Sequence, residues 1–326
     1  MCVNFLEHRV MSSTKAPAQD SKYLLEELTE LRHRKRAILL GHYYANPEVQ
    51  DVCDYVGDSL GLSREAAKSE ADIIVFCGVH FMAETASILA QDKKVLLPSL
   101  EAMCSLANGI TGEQLAAWRE AHPGYFVISY VNTTADVKAY TDCCCTSSNA
   151  LQVVKRYAPD HRLMFAPDRN LGRYIRLQTG IPMELWDGAC HVHNEFTTAV
   201  ITAQMRKYPE ARILVHPESA GASEDEIRND PRVFISSTTG MINEAARCAE
   251  RQILVVTEEG VLHKMRQVAP EKEFILVAPT AQCEHMKHAT LQSVVECLRD
   301  EKNEVRVTPS LAARARVSID RMLEIG

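Results

Sequence analysis

The chain has 326 residues, 46% of them hydrophobic, 24% charged and 6% aromatic, with a formal net charge of -7. That length holds two or three domains of the usual roughly 100 to 200 residues, and the composition excludes disordered, fibrous and coiled-coil classes. The acidic balance argues against a nucleic-acid surface and no run nears the roughly 18 apolar residues of a membrane helix.

The first twenty residues carry Glu7, Arg9, Lys15 and Asp20 without a hydrophobic signal core, so a cytoplasmic protein is expected. Eleven cysteines in a reducing compartment point to metal, cluster or redox chemistry before structural disulfides. A single cysteine is nonetheless most often a small buried hydrophobe, so position has to decide.

Ser21–Arg36 reads as a helix. The apolar run Ala37–Leu40 then predicts a buried strand ending in Gly41-His42-Tyr43-Tyr44. A hydroxyl-bearing turn, Gly57-Asp58-Ser59, precedes a helical pattern over Leu62–Ser69, and strands at Ile73–Phe76 and Val95–Leu97 lead to Cys104. After a helix over Glu113–Glu120 the plan recurs. Strand Phe126–Ser129 ends in Tyr130-Val131-Asn132, the turn Thr146-Ser147-Ser148-Asn149 precedes a helix over Ala150–Tyr157, and strands Leu163–Ala166 and Met183–Leu185 lead to Cys190. A helix over Asn194–Lys207 opens onto the third copy. It runs from strand Arg212–Val215 and His216-Pro217-Glu218, through the turn Ser236–Gly240 and a helix over Met241–Glu250, to strands Ile253–Val256 and Phe274–Val277 and then Cys283. The tail from Leu291 is expected to pack, with the first helix, on the first copy.

The spacings support a repeat of about 90 residues. From the polar strand end to the cysteine, His42 to Cys104, Tyr130 to Cys190 and His216 to Cys283 span 62, 60 and 67 residues. From hydroxyl turn to cysteine, Ser59, Ser147 and Thr238 lie 45, 43 and 45 residues ahead. The expected fold is therefore α/β, with three homologous three-layer αβα lobes of parallel sheet in a pseudo-threefold arrangement. The boundaries expected are an extension over residues 1–20, a first lobe over 21–110 with the tail 291–326, a second over 111–203 and a third over 204–290.

In parallel sheets a ligand lies beyond the carboxyl ends of the strands, where helix amino-termini also point. Each lobe would bring one cysteine, one hydroxyl turn and one strand-end cluster to that centre. Three cysteines suit a metal better than a disulfide. Zinc with three thiolates usually recruits a fourth protein ligand, whereas a 4Fe-4S cluster with three keeps one iron open to substrate. Ser and Thr are ordinary helix caps, but repeated clusters supply more donors than a cap needs and favour an anion site for carboxylates and a phosphate. His42, Tyr44, Tyr130, Asn132, His193, His216 and Glu218 would ring the same space, where His or Glu can move protons. Cys143-Cys144-Cys145 has no evident counterpart in the other copies and reads as local packing or a thiol switch.

Several ordered segments resemble the quinolinate synthase family, the A protein of bacterial NAD biosynthesis. They include Gly41-His42-Tyr43-Tyr44 with Pro47-Glu48-Val49-Gln50, Gly57-Asp58-Ser59-Leu60, Gly78–Ala86 and Tyr130–Thr133. Further along are Pro167–Gly172, Cys190 with His193, His216-Pro217-Glu218, Ser237-Thr238, Thr257-Glu258, and Cys283 with Met286-Lys287 and Thr290-Leu291. The resemblance runs from about Ser21 to the C-terminus. It implies one 4Fe-4S cluster between the lobes, bound by Cys104, Cys190 and Cys283 with one open iron. It also implies condensation of iminoaspartate with dihydroxyacetone phosphate to quinolinate, phosphate and two waters. By position, Glu218, Tyr44, His42 and His193 match catalytic residues. His42, Ser59, Tyr130, Asn132, Ser147, His216, Glu218, Ser237 and Thr238 match substrate contacts. The implied partners are the two substrates, an aspartate-oxidising enzyme upstream and cluster-assembly machinery, with no nucleic acid and no membrane.

Two positions depart from the family pattern. Met286 stands where some members carry a second cysteine three residues after the last ligand, so that redox regulation is not carried over, and Ser219 stands where many have cysteine. The competing readings are a zinc-dependent aldolase or hydratase acting on a phosphorylated keto compound, and a non-enzymatic iron-sulfur redox sensor signalling through Cys143–Cys145.

Overall fold

The computed structural model describes residues 18–325. Most of the expected N-terminal extension, with Cys2, lies outside the described residues. The long first helix runs over Ala18–Lys35. Twelve strands follow: β1 (Ala37–His42), β2 (Tyr55–Gly57), β3 (Ile73–Cys77), β4 (Lys94–Leu96), β5 (Tyr125–Tyr130), β6 (Cys143–Cys145), β7 (Arg162–Ala166), β8 (Met183–Leu185), β9 (Arg212–Val215), β10 (Val233–Ile235), β11 (Gln252–Val256) and β12 (Glu273–Leu276). They form three all-parallel four-stranded sheets of one topology, β2-β1-β3-β4, β6-β5-β7-β8 and β10-β9-β11-β12. This is the three-lobed α/β architecture that the repeat predicts.

The central strands are continuous apolar runs because helices cover both faces of a parallel sheet. Ile253, Leu254, Val255 and Val256 are all fully buried, as are Leu39 and Leu40 in the first lobe. Register fixes what each strand end delivers: Leu40, Gly41 and His42 pair with Tyr55, Val56 and Gly57, so β1 and β2 finish together beside the turn at Asp58.

Each lobe contains one strand more than the apolar runs suggest. β2, β6 and β10 are three-residue edge strands, too short to show a pattern. Cys143–Cys145 is β6, paired with Ile128–Tyr130, so the triplet does have counterparts, namely Tyr55–Gly57 and Val233–Ile235. All three of its side chains are buried. Helix Pro309–Ile325 covers that edge: Cys144 Sγ donates to Ser318 Oγ at 3.4 Å, Asn149 Nδ2 to the Met322 carbonyl at 3.1 Å and Arg321 to the Asp142 carbonyl at 2.6 Å.

The tail is therefore shared between lobes. Its first helix, Leu291–Asp300, packs against Ala18–Lys35 and β3 of the first lobe, whereas the second lies on the second lobe and reaches back through Arg316 to the Leu89 carbonyl. The stretch expected as one helix over Asn194–Lys207 is broken after Asn194 and restarts at Thr198, where Thr197 caps it by accepting from the Val200 N–H. Among the described residues no helix is long and apolar enough to cross a membrane.

Candidate active site

The carboxyl ends of β1, β5 and β9 converge on one cavity between the lobes. His42, Tyr44, Ser59, Cys104, Tyr130, Asn132, Ser147, Cys190, His193, His216, Glu218, Thr238 and Cys283 all line it. Ser237 does not; its hydroxyl accepts from the Gly240 N–H at 3.4 Å and caps helix Thr238–Arg247.

Burial sets the protonation inside. Glu218 is 3% exposed, and loss of solvation, helped by the charge of Asp168, lifts its carboxyl to about 8. The Tyr130 hydroxyl donates to Glu218 Oε1, and His193 Nδ1 and His216 Nδ1 stand 3.5 and 3.6 Å from its two oxygens. Burial pushes His42 down to about 4, His193 to about 3 and His216 well below the usual imidazole range. The three imidazoles are therefore neutral near pH 7. His42 Nδ1 accepts from the Tyr44 N–H at 3.1 Å, which leaves its proton on Nε2.

A hydrogen-bond chain joins the lobes across this space. Tyr44 Oη lies 3.1 Å from Thr238 Oγ1 and 2.7 Å from Thr257 Oγ1, and Thr257 Oγ1 lies 2.9 Å from His193 Nε2. Asn132 Oδ1 and His216 Nδ1 are buried without a protein partner, which marks them as groups awaiting a ligand.

Three helix amino-termini meet at one carboxylate. Asp58 caps helix Ser59–Lys68 through Oδ1, at 3.0 Å from the Gly61 N–H. Its Oδ2 accepts from Ser148 at 2.9 Å and Thr239 at 2.7 Å, hydroxyls at the starts of helices Ala150–Tyr157 and Thr238–Arg247. Ser59, Ser147 and Thr238 stand beside this junction and line the cavity, where helix dipoles and spare hydroxyls suit anionic groups.

The three cysteines face the same cavity as free, half-buried thiols. Burial pushes Cys104 up to about 12, Cys283 to about 11 and Cys190 well above the usual range, so a bound cation is what would hold them as thiolates. Backbone N–H groups of Ala107 and Leu106 point at the Cys104 sulfur, that of His193 at Cys190, and those of Met286 and His285 at Cys283. Such a donor set fits an iron-sulfur cluster bound through three cysteines. Cys190, His193 and Glu218 also present ligand atoms within 4.8 Å of one another, a group compact enough for a single ion.

Sequence reasoning missed Asp58, Thr257, Asp168, Glu258 and Lys287 as parts of this site. The polar residues that the sequence marks lie at the end of the first strand of each lobe. Asp168 and Thr257-Glu258 stand in the same position beyond β7 and β11, where the same strand-end signal marks them.

Comparison with known proteins decides the family. The family described as "Quinolinate synthetase A protein" matches residues 26–324. The chain belongs to that family. It is similar to the quinolinate synthase of Mycobacterium tuberculosis, at 47% identity over 307 residues covering 92% of this chain and 88% of the relative. The quinolinate synthases of Synechococcus sp. and Thermus thermophilus are each 45% identical, over 91% and 93% of this chain and 93% and 97% of theirs. The chain is thus an enzyme.

Proposed function

We propose that this enzyme condenses iminoaspartate with dihydroxyacetone phosphate to give quinolinate, phosphate and two waters, in NAD biosynthesis in the cytoplasm. The supporting observation is that three free thiols from equivalent loops line one cavity with three hydroxyl-bearing helix starts. Cys104, Cys190 and Cys283 would hold a 4Fe-4S cluster, which when bound supplies an open iron as a Lewis acid for dehydration.

The chain's own residues would divide the remaining work. Ser59, Ser147 and Thr238, at the amino-ends of three helices, receive the phosphate and carboxylates. Asn132 Oδ1 and His216 Nδ1, two of the buried atoms without a hydrogen-bond partner, orient the nitrogen-bearing substrate. Glu218, whose carboxyl burial lifts to about 8, takes the carbon-bound proton in its ionised form and passes it through His193 and His216, both neutral and within 3.6 Å. Tyr44 and His42 complete the wall that keeps water from a hydrolysable imine. An aspartate-oxidising enzyme would supply the unstable iminoaspartate, and cluster-assembly machinery the cofactor.

The compact Cys190-His193-Glu218 group favours a second reading, a zinc-dependent aldolase or hydratase. Anaerobic purification with metal analysis and Mössbauer spectroscopy separates the two. About four irons per chain, and quinolinate formed from the two substrates, support the cluster enzyme. One zinc per chain and no quinolinate reject it.

A further inference from the structure

We infer that Asp168 and Glu258 are positioning residues that hold the second and third cysteine loops in ligating shape, a task the first lobe carries out without a carboxylate. The inference rests on the reading that Cys104, Cys190 and Cys283 hold a cluster.

The two carboxylates occupy equivalent places in the repeat. Each lies two residues beyond a central strand: Asp168 after β7, Glu258 after β11 and, in the first lobe, Val79 after β3. Asp168 and Glu258 are fully buried, where an unneeded carboxylate would be costly. Asp168 Oδ1 accepts from the Leu171 N–H at 2.7 Å, capping helix Arg169–Thr179, and Oδ2 accepts from the Cys190 N–H at 3.2 Å. Glu258 Oε2 accepts from the Gly260 N–H at 2.6 Å. Its Oε1 accepts from the Cys283 N–H at 3.2 Å and faces Lys287 Nζ at 3.0 Å. Every oxygen thus meets donors, the geometry of an ionised carboxylate.

A backbone N–H is one atom from the Cα that carries the ligand sulfur, so fixing it fixes where the side chain starts. The first lobe shares only the backbone part of the device. The His80 N–H donates to the Ala102 carbonyl at 2.7 Å, as Arg169 does to Gly188 at 2.8 Å, in each case two residues ahead of the cysteine. The Val79 side chain offers no acceptor, and the two later loops carry the added tether. Groups that orient metal ligands in this way typically change metal affinity by about 10- to 100-fold when altered.

The test uses the cluster-loaded, full-length protein. Asp168→Asn and Glu258→Gln preserve shape but turn one acceptor into an N–H group facing another N–H. Asp168→Ser keeps a helix cap while withdrawing the oxygen from Cys190, and so guards against a general folding defect. The readouts are the rate at which a chelator strips iron, the reduction potential of the cluster, and the melting temperature of the cluster-free protein. The expected result is iron loss at least about 10-fold faster in all three variants, and a more positive potential because a buried negative charge has gone. The cluster-free melting temperature of Asp168→Ser should stay near wild type. A loaded wild type whose variants match its rate and potential overturns this inference alone. A wild-type chain that takes up no cluster after anaerobic reconstitution overturns the cluster reading and this inference with it.

Discussion

The Thr239 hydroxyl of the third lobe donates to the Asp58 carboxylate of the first at 2.7 Å, on the oxygen that also receives Ser148 of the second. One side chain therefore ties together the three helix starts that face the substrate cavity. Removing it should loosen both the protein and the anion pocket. Asp58→Ala is expected to cost about 1 to 3 kcal/mol of stability and to raise KM for dihydroxyacetone phosphate by about 10-fold, with a smaller change in kcat. Thr239→Val should do the same to a lesser degree. The double variant should lose less than the two singles combined, because they share one contact. Thermal melts with steady-state kinetics check this; strict additivity would show that the contact carries no coupling.

Glu218 should behave differently, since the role proposed for it is to move a proton. Glu218→Gln keeps the shape but has no ionised form with which to take a proton. Its kcat is expected to fall by about 10²- to 10⁴-fold, with the iron content of wild type. Tyr130→Phe removes the hydroxyl that donates to Glu218 and should lower kcat by roughly 10-fold. Rates measured per bound iron distinguish this from simple cofactor loss. An unchanged kcat in Glu218→Gln would move the proton transfer to another group.

The cysteines among the described residues divide into two physical classes. Cys104→Ser, Cys190→Ser and Cys283→Ser should each abolish both iron binding and activity, because each lobe offers a single thiol to the cavity. Cys144→Ser should keep both: its side chain is buried against Ser318 under helix Pro309–Ile325, and a hydroxyl fits the same contact. Iron analysis and quinolinate formation provide the check, and retention of the cluster in Cys190→Ser would remove that residue from the ligand set.

Much of this arrangement was legible in the residues because each lobe repeats one plan at one spacing. Short apolar runs such as Ile213–Val215 and Ile253–Val256 mark central parallel strands. The edge strands Tyr55–Gly57, Cys143–Cys145 and Val233–Ile235 span three residues each, too few for a period to appear, and so the cysteine triplet shows no counterpart in the other lobes and reads as local packing or a thiol switch. The strand-end residues from His42 to Glu218 were visible because strand ends point at the ligand edge of such sheets. What one lobe does to another was not. The bonds of Asp58 to Ser148 and Thr239 span 90 and 181 residues, and nothing local encodes them. Likewise the tail divides between two lobes because Ser318 and Arg321 find partners on the second, a choice its own pattern does not carry.

Acid stability should report on Glu301. Lys35 and then Lys94 hydrogen-bond its carboxylate and hold it down at about 2, joining the first helix to β4 through the tail. Because the folded value lies below the unfolded one, near 4.3, this contribution is complete above about pH 4.5 and is lost as pH falls toward 2. Glu301→Gln is expected to lower the melting temperature slightly at pH 7, the gap shrinking through that window and closing near pH 2. The effect is small because the carboxylate is partly exposed and screened. Melting curves from pH 2 to 7 at low salt measure it, and a constant gap across the range would contradict the assignment.

The contact between the first and third lobes can be tested with a single methyl group. A Cβ placed on Gly260 would lie 2.7 to 2.8 Å from the Cα, C and O atoms of Tyr44, and backbone atoms cannot swing aside. Gly260 has φ -58, so alanine meets no conformational strain there and the whole effect is steric. The approach is held from both sides: Gln50 Nε2 donates to the carbonyls of Gly260, Tyr43 and Ala45, and Lys287 Nζ donates to the Tyr44 carbonyl at 2.8 Å. Displacing Tyr44 would draw its hydroxyl off Thr238 and Thr257 and open the cavity wall. Gly260→Ala should therefore cost about 1 to 3 kcal/mol and lower kcat/KM by at least about 10-fold. Gly109→Ala, where an added Cβ meets nothing within 4 Å, serves as the matched control and should leave activity unchanged. A Gly260→Ala enzyme with wild-type kcat/KM and melting temperature would mean that Tyr44 and the third lobe do not meet so closely in solution.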